Sequence, residues 1–137
     1  MHDIETRKDI EELVTDFYQK ALSDKVIGYI FTDVAKIDLD RHLPVIADFW
    51  EMLLFGTLNF QTKYGRSPMQ VHGALNNKEH LRLEHFGRWI KLFAETVDAK
   101  FVGETANLAK IRALSIAETM RLKFSSESDA DVPGVRE

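Results

Sequence analysis

Residues 85–101 read HFGRWIKLFAETVDAKF, and the spacing within them decides the fold class. Phe86, Trp89, Ile90, Phe93, Val97 and Phe101 recur three and four residues apart, which puts them on one side of an α-helix. The same period runs upstream. Ile10, Leu13, Val14, Phe17, Tyr18, Ala21 and Leu22 form one stripe, and His42, Ile46, Phe49, Trp50, Leu53 and Leu54 form another. Asp38 or Asp40 is a suitable N-cap for that second helix, Pro44 is tolerable only near its start, and Gly56 is a stop. Between these two stripes, Gly28 is followed by Tyr29, Ile30 and Phe31, a short helix or turn. Downstream, Gly103 separates the quoted segment from a last helix in which Leu114, Ala117, Met120 and Phe124 are expected to share a face. No alternating strand pattern and no internal repeat interrupts this order, so four long helices with short connectors imply an all-α domain.

The connectors are less regular. Thr57 to Pro68 reads as a connection broken by Gly65 and Pro68, and Asn76-Asn77 marks a turn inside the ambiguous stretch from His72 to Leu81. Beyond Phe124 the chain is rich in Ser, Asp and Glu, with Pro133 and Gly134, so residues 1–124 are expected to form the domain and 125–137 a flexible C-terminal tail. Among 137 residues, 45% are hydrophobic and 29% charged, ordinary globular usage for one domain with a real core. The absence of cysteine excludes disulfides, thiolate metal sites and a thiol nucleophile. A formal net charge of -4 without a dense Lys or Arg run argues against a nucleic-acid partner. Residues 1–5 show no basic start or apolar run of a signal peptide, and no stretch approaches the roughly 20 apolar residues of a membrane span. A cytoplasmic protein with no membrane partner is expected.

Few groups here carry chemistry. No His-Glu-x-x-His zinc motif, Gly-x-Ser-x-Gly elbow or phosphate-cradling glycine loop occurs. The histidines are His2, His42, His72, His80 and His85. Large aromatics dominate the helical stripes, with Tyr18 and His42 as polar groups inside them. Such stripes build an ordinary core, and they also build the walls that a flat apolar cofactor needs. Haem would further require one strong axial donor, usually a neutral imidazole, and a Tyr hydroxyl with an indole N–H opposite it would serve as donors to a bound diatomic molecule.

The order of residues carries a resemblance. Asp16-Phe17-Tyr18-Gln19-Lys20, then Asp24 to Gly28, then Ile30-Phe31 resembles the opening of truncated haemoglobins. His42, Ile46 and Phe49-Trp50 follow, then Tyr64-Gly65, Pro68 and His72. Finally His85-Phe86-Gly87-Arg88-Trp89-Ile90-Lys91-Leu92-Phe93 resembles the His-Phe-x-Arg-Trp signature of the third subgroup. The likeness spans roughly residues 4 to 124, while the glycine-pair motifs of the other truncated subgroups are missing.

That resemblance implies a shortened globin fold, a two-over-two helical sandwich around haem b (iron protoporphyrin IX). It implies His72 as proximal iron ligand, with His80, in His80-Leu81-Arg82-Leu83, as the competing candidate. Tyr18 maps onto the distal tyrosine, Phe31 onto the aromatic at the haem edge, and His42 onto the gating position with Ile46 one turn on. Trp89 maps onto the tryptophan closing the distal side. Phe49, Phe86 and Phe93 fall at haem-wall or core positions. Lys63, Arg66 and Arg82 are propionate partners by position only. The implied function is binding of a diatomic gas (oxygen, NO or CO), with oxygen transport as the role, by a monomer. Two other functions stay open: a haem peroxidase or NO dioxygenase served by an unidentified reductase, and a helical interaction module without haem.

Overall fold

Thr6 and Asp9 start the first helix by a reciprocal cap. The Asp9 amide donates to the Thr6 hydroxyl at 3.3 Å, and the Thr6 amide donates to the Asp9 carboxylate at 3.1 Å. This Thr-x-x-Asp signal is local and was open to reading from the sequence. A computed structural model describes residues 1–34, 38–56 and 83–130. Within them lie α1 (Arg7–Leu22), a short π-helical segment (Ile30–Val34), α2 (Leu39–Phe55), α3 (Leu83–Lys100) and α4 (Glu104–Ala130). No strand occurs among the described residues, and the expected all-α architecture is the one observed.

The helices pack as two pairs, α1 with α2 and α3 with α4. Contacts run between the pairs chiefly from α1 to α3, with a smaller contact from α2 to α4. This is the two-over-two arrangement. Its core takes Ile10, Leu13, Val14, Phe17 and Ala21 from α1, Leu92, Phe93 and Val97 from α3, and Ala106, Ala109 and Ala113 from α4.

Two readings need correction. Leu114 does not share the buried face of α4: it is 51% exposed, and the buried face is Ala106, Ala109, Ala113, Ala117 and Met120. Alanine lets α4 lie close against α3, since the side chains at a contact set the distance between helix axes. Alanine is also a common surface helix former, so its spacing carries little hydrophobic signal. Pro44 is not in the first turn of α2 but is its sixth residue. The N–H it lacks would have met the Asp40 carbonyl. Asp40 is an exposed residue, and Arg7 Nη2 donates to the Pro44 carbonyl at 3.4 Å. The two α2 boundaries are as read: Asp38 is the N-cap, and Gly56 ends the helix at φ 74, a left-handed conformation that favours glycine. The 124 boundary expected for the tail falls inside α4.

The start of α4 is capped from the far end of the chain. Gly103 precedes the helix at φ 144 and has no side chain to offer. Asp3 supplies it instead, 102 residues away in sequence from Thr105. Its carboxylate accepts from the Thr105 amide at 3.0 Å and the Ala106 amide at 2.8 Å, where an N-cap side chain would act. A Cβ at position 103 would collide with that carboxylate. Burial raises the Asp3 pKa, but the Thr105, Ala106 and Ile4 amides outweigh it and hold the carboxyl below the ordinary range. Because the folded value is depressed, this stabilisation is complete above the unfolded carboxylate pKa of about 3.9 and is lost as pH falls through the folded value. Asp3→Ala is expected to lower the unfolding free energy by about 1–2 kcal/mol at pH 7. In urea titrations the gap between variant and parent should close toward pH 2–3; a gap independent of pH would remove the carboxylate cap as its cause.

Candidate functional site

Eight of the nine residues singled out by sequence lie among the described residues, and the ninth, His72, lies outside them. So do His80 and the positional candidates Lys63, Arg66 and Arg82. Tyr18 sits on the last turns of α1, Phe31 in the π-helical segment, His42, Ile46 and Phe49 on α2, and Phe86, Trp89 and Phe93 on α3.

The fold gathers Tyr18, Phe31 and His42. The Tyr18 ring lies edge-on to Phe31 at 5.6 Å between centroids and to His42 at 5.8 Å. Phe17 joins this group to a second one, meeting Tyr18 at 5.4 Å, Phe93 at 5.4 Å and Trp89 at 5.9 Å. Phe93 stacks nearly parallel to Trp50 at 4.8 Å and to Trp89 at 5.7 Å. It is 1% exposed and fills the core. Phe86 stands apart from the Tyr18 group, packing with Ala117 and Met120 in a small separate cluster that also touches Trp89 and Ile90.

α2 is strongly apolar, yet only Ala47 and Trp50 in it are buried. His42, Leu43, Ile46, Phe49 and Leu53 line one face at helical spacing and are half-buried, as are Phe31, Trp89 and Ile90 facing the same core. An amphipathic helix normally seals such a stripe. Here the side chains of the stripe are only half-buried beside the most aromatic region among the described residues, and that suits a flat apolar group.

Polar chemistry at this face is sparse and directed. Burial pushes the pKa of the Tyr18 hydroxyl well up, so it remains a neutral O–H donor. Among the described residues no sealed side-chain nitrogen or oxygen lacks a hydrogen-bond partner. The Tyr18 hydroxyl and the Trp89 indole are the O–H and N–H donors that α1 and α3 bring to this aromatic region. Among the described residues no cluster of three or more His, Asp or Glu side chains is arranged to hold a bare metal ion. A metal carried in a macrocycle needs only an axial donor from the protein.

Polar ties that sequence reasoning missed hold this region in place. Asp24 Oδ1 accepts from Arg88 Nε at 2.8 Å and from Nη2 at 2.7 Å. Its Oδ2 accepts from the amides of Val26 at 2.9 Å and Ile27 at 3.1 Å. The Arg88 guanidinium is the main cause of a lowered Asp24 pKa, burial opposing it and the two amides adding to it. The Tyr29 hydroxyl lies 3.2 Å from His85 Nε2, so buried His85 opens α3 and also grips the preceding layer. Arg7 reaches from α1 to Asp48 and Glu51 of α2. An arginine and a histidine inside an otherwise apolar run were the only sequence signals; the partners, 64 and 56 residues distant, carried none.

No family profile matches the chain. The sequence is 29% identical over 119 residues to the group 3 truncated hemoglobin ctb of Campylobacter jejuni, covering 81% of this chain and 84% of that protein. The fold matches the crystal structure of the group III truncated hemoglobin from Campylobacter jejuni with a TM-score of 0.75 and 26% identity, covering 90% of this chain and 95% of that one.

The distinction between core and wall is measurable without any cofactor. In the apoprotein, Phe93→Ala should cost about 3–5 kcal/mol of unfolding free energy, the range for a buried aromatic. Ile46→Ala, at a half-open position, should cost under about 2 kcal/mol, because less surface leaves water there. Equal losses in denaturant titrations would mean that α2 is sealed as ordinary core.

Proposed function

We propose that this chain, similar in sequence and in fold to group III truncated haemoglobins, holds haem b and binds oxygen, NO or CO. One observation carries this reading. Tyr18, a buried tyrosine, meets Phe31 and His42 ring to ring beside a half-buried apolar face of α2. A flat ring would cover that apolar face, and a small ligand on it would meet the tyrosine hydroxyl.

Haem iron, when bound, supplies an open coordination position for a diatomic molecule. His72 would hold the iron through its imidazole, and a carbonyl acceptor for its second ring nitrogen would fix the ring and its basicity. Tyr18 and Trp89 would donate hydrogen bonds to the bound ligand as preorganised donors. His42, edge-on to Tyr18 on α2, controls access from solvent. Phe31, Ile46 and Phe49 would line the ring, while Phe93 and Phe86 back Trp89 from the core. On this reading the protein is a cytoplasmic monomer, and a haem redox activity would draw its electrons from a separate reductase.

Absorption spectra test the whole proposal. Purified protein supplied with haem should show a Soret band, and its absence would leave a helical module without cofactor. His72→Ala should abolish the five-coordinate ferrous spectrum; the same loss from His80→Ala alone would transfer the ligand role to His80. Tyr18→Phe should raise the oxygen dissociation rate roughly 5- to 150-fold, as expected for loss of a hydrogen bond worth about 1–3 kcal/mol. An unchanged rate would remove Tyr18 as a donor.

A further inference from the structure

Two polar pairs cross from residues 24–29 to the first turns of α3, and the ligand contacts proposed above use neither of them. Both are anchored next to residues that do. Arg88 precedes Trp89 directly, and His85 lies one helical turn before it. Tyr29 comes two residues before Phe31, and Asp24 organises the turn that leads there through the Val26 and Ile27 amides. One carboxylate therefore fixes the backbone approaching Phe31 and the arginine beside Trp89. We propose that Asp24–Arg88 and Tyr29–His85 are positioning pairs that set Phe31 and Trp89 around Tyr18, and so set how tightly the distal donors hold a diatomic ligand. The inference rests on the haem reading above and extends it to four residues that touch neither ring nor ligand.

Trp89 is held by stacking on Phe93 and by an edge contact with Phe17, and Phe31 by its edge contact with Tyr18. Neither contact fixes a ring to within a few tenths of an ångström along its own plane. A hydrogen bond from Trp89 or Tyr18 to a ligand works over a narrow window, about 2.7–3.2 Å. Such placement must then come from the backbone, and these pairs tie that backbone across the two layers. The Asp24 side chain is only 4% exposed and Arg88 35%. Lys110–Asp98 and Arg121–Glu118 involve well-exposed carboxylates and belong to the class of ion pairs that contribute little. The Tyr29–His85 contact survives either ring state: the hydroxyl donates when Nε2 is bare and accepts when it is protonated.

Tyr29→Phe, which removes one oxygen, and Arg88→Lys, which keeps the charge but not the convergent N–H pair, provide the test. In haem-loaded protein each should raise the oxygen dissociation rate about three- to tenfold and split or shift the C–O stretching band of the ferrous CO form. In the apoprotein each should increase acrylamide quenching of tryptophan fluorescence, while far-UV circular dichroism stays that of the parent. Parent-like rates and a parent-like C–O band in both variants would overturn the proposal. So would a lowered melting temperature with an unchanged band, because the pairs would then only stabilise the fold. If Arg88→Lys does not fold, Tyr29→Phe decides alone. Failure of the parent itself to bind haem sinks the underlying reading instead, and parent spectra are recorded first to separate the two.

Discussion

Phe93 meets three other aromatic rings, and the site exists because of how they are held. Trp50 from α2 and Trp89 from α3 stack on it within 16° of parallel, and Phe17 from α1 meets it edge-on. Three helices from both layers therefore share one packed contact. Close-packed rings resist small displacements because a gap of even half an ångström forfeits much of the attraction. With that contact in place, the end of α1 must deliver Tyr18 next to the π-helical segment and the open face of α2. Loss of that packing would loosen all three walls together.

Around this centre the protein treats its helix faces unequally. α1 buries most of its stripe, α3 buries Phe86, Phe93 and Val97 of its own, and α4 offers a row of alanines that brings it close to α3. α2 leaves several large apolar side chains half in water. That exposure forgoes stabilisation of about 25 cal/mol for each Å² left uncovered. An apolar group seated there recovers it, so ligand binding and folding stability are linked through the same surface. Charged groups complete the arrangement away from the rings: Asp3 caps α4, Arg7 ties α1 to α2, and Asp24 joins the first layer to α3.

Large residues made their helices easy to read. Phe17, Phe93, Val97 and Phe101 are buried where their spacing puts them. The reading failed for Leu114, which faces solvent, because alanine defines the buried side of α4 and alanine spacing is nearly silent. Pro44 misled in a smaller way, since the rule confining proline to a first turn yields where the residue carrying the orphaned carbonyl is exposed. Tyr18, Phe31, His42 and Trp89 were selected through family likeness, and Tyr18, Phe31 and His42 do meet ring to ring.

The chain's own pattern determined an all-α fold, the order of its long helices and the aromatic character of their inner faces. Helical periodicity is local, repeating within a few residues, so a linear text carries it. Tertiary structure alone decided that Asp3 caps a helix 102 residues away, that Arg88 meets Asp24, that Tyr29 meets His85, and that α2 stays half open. Each depends on how two layers settle against one another, and that settling is governed by the volumes of side chains from distant segments.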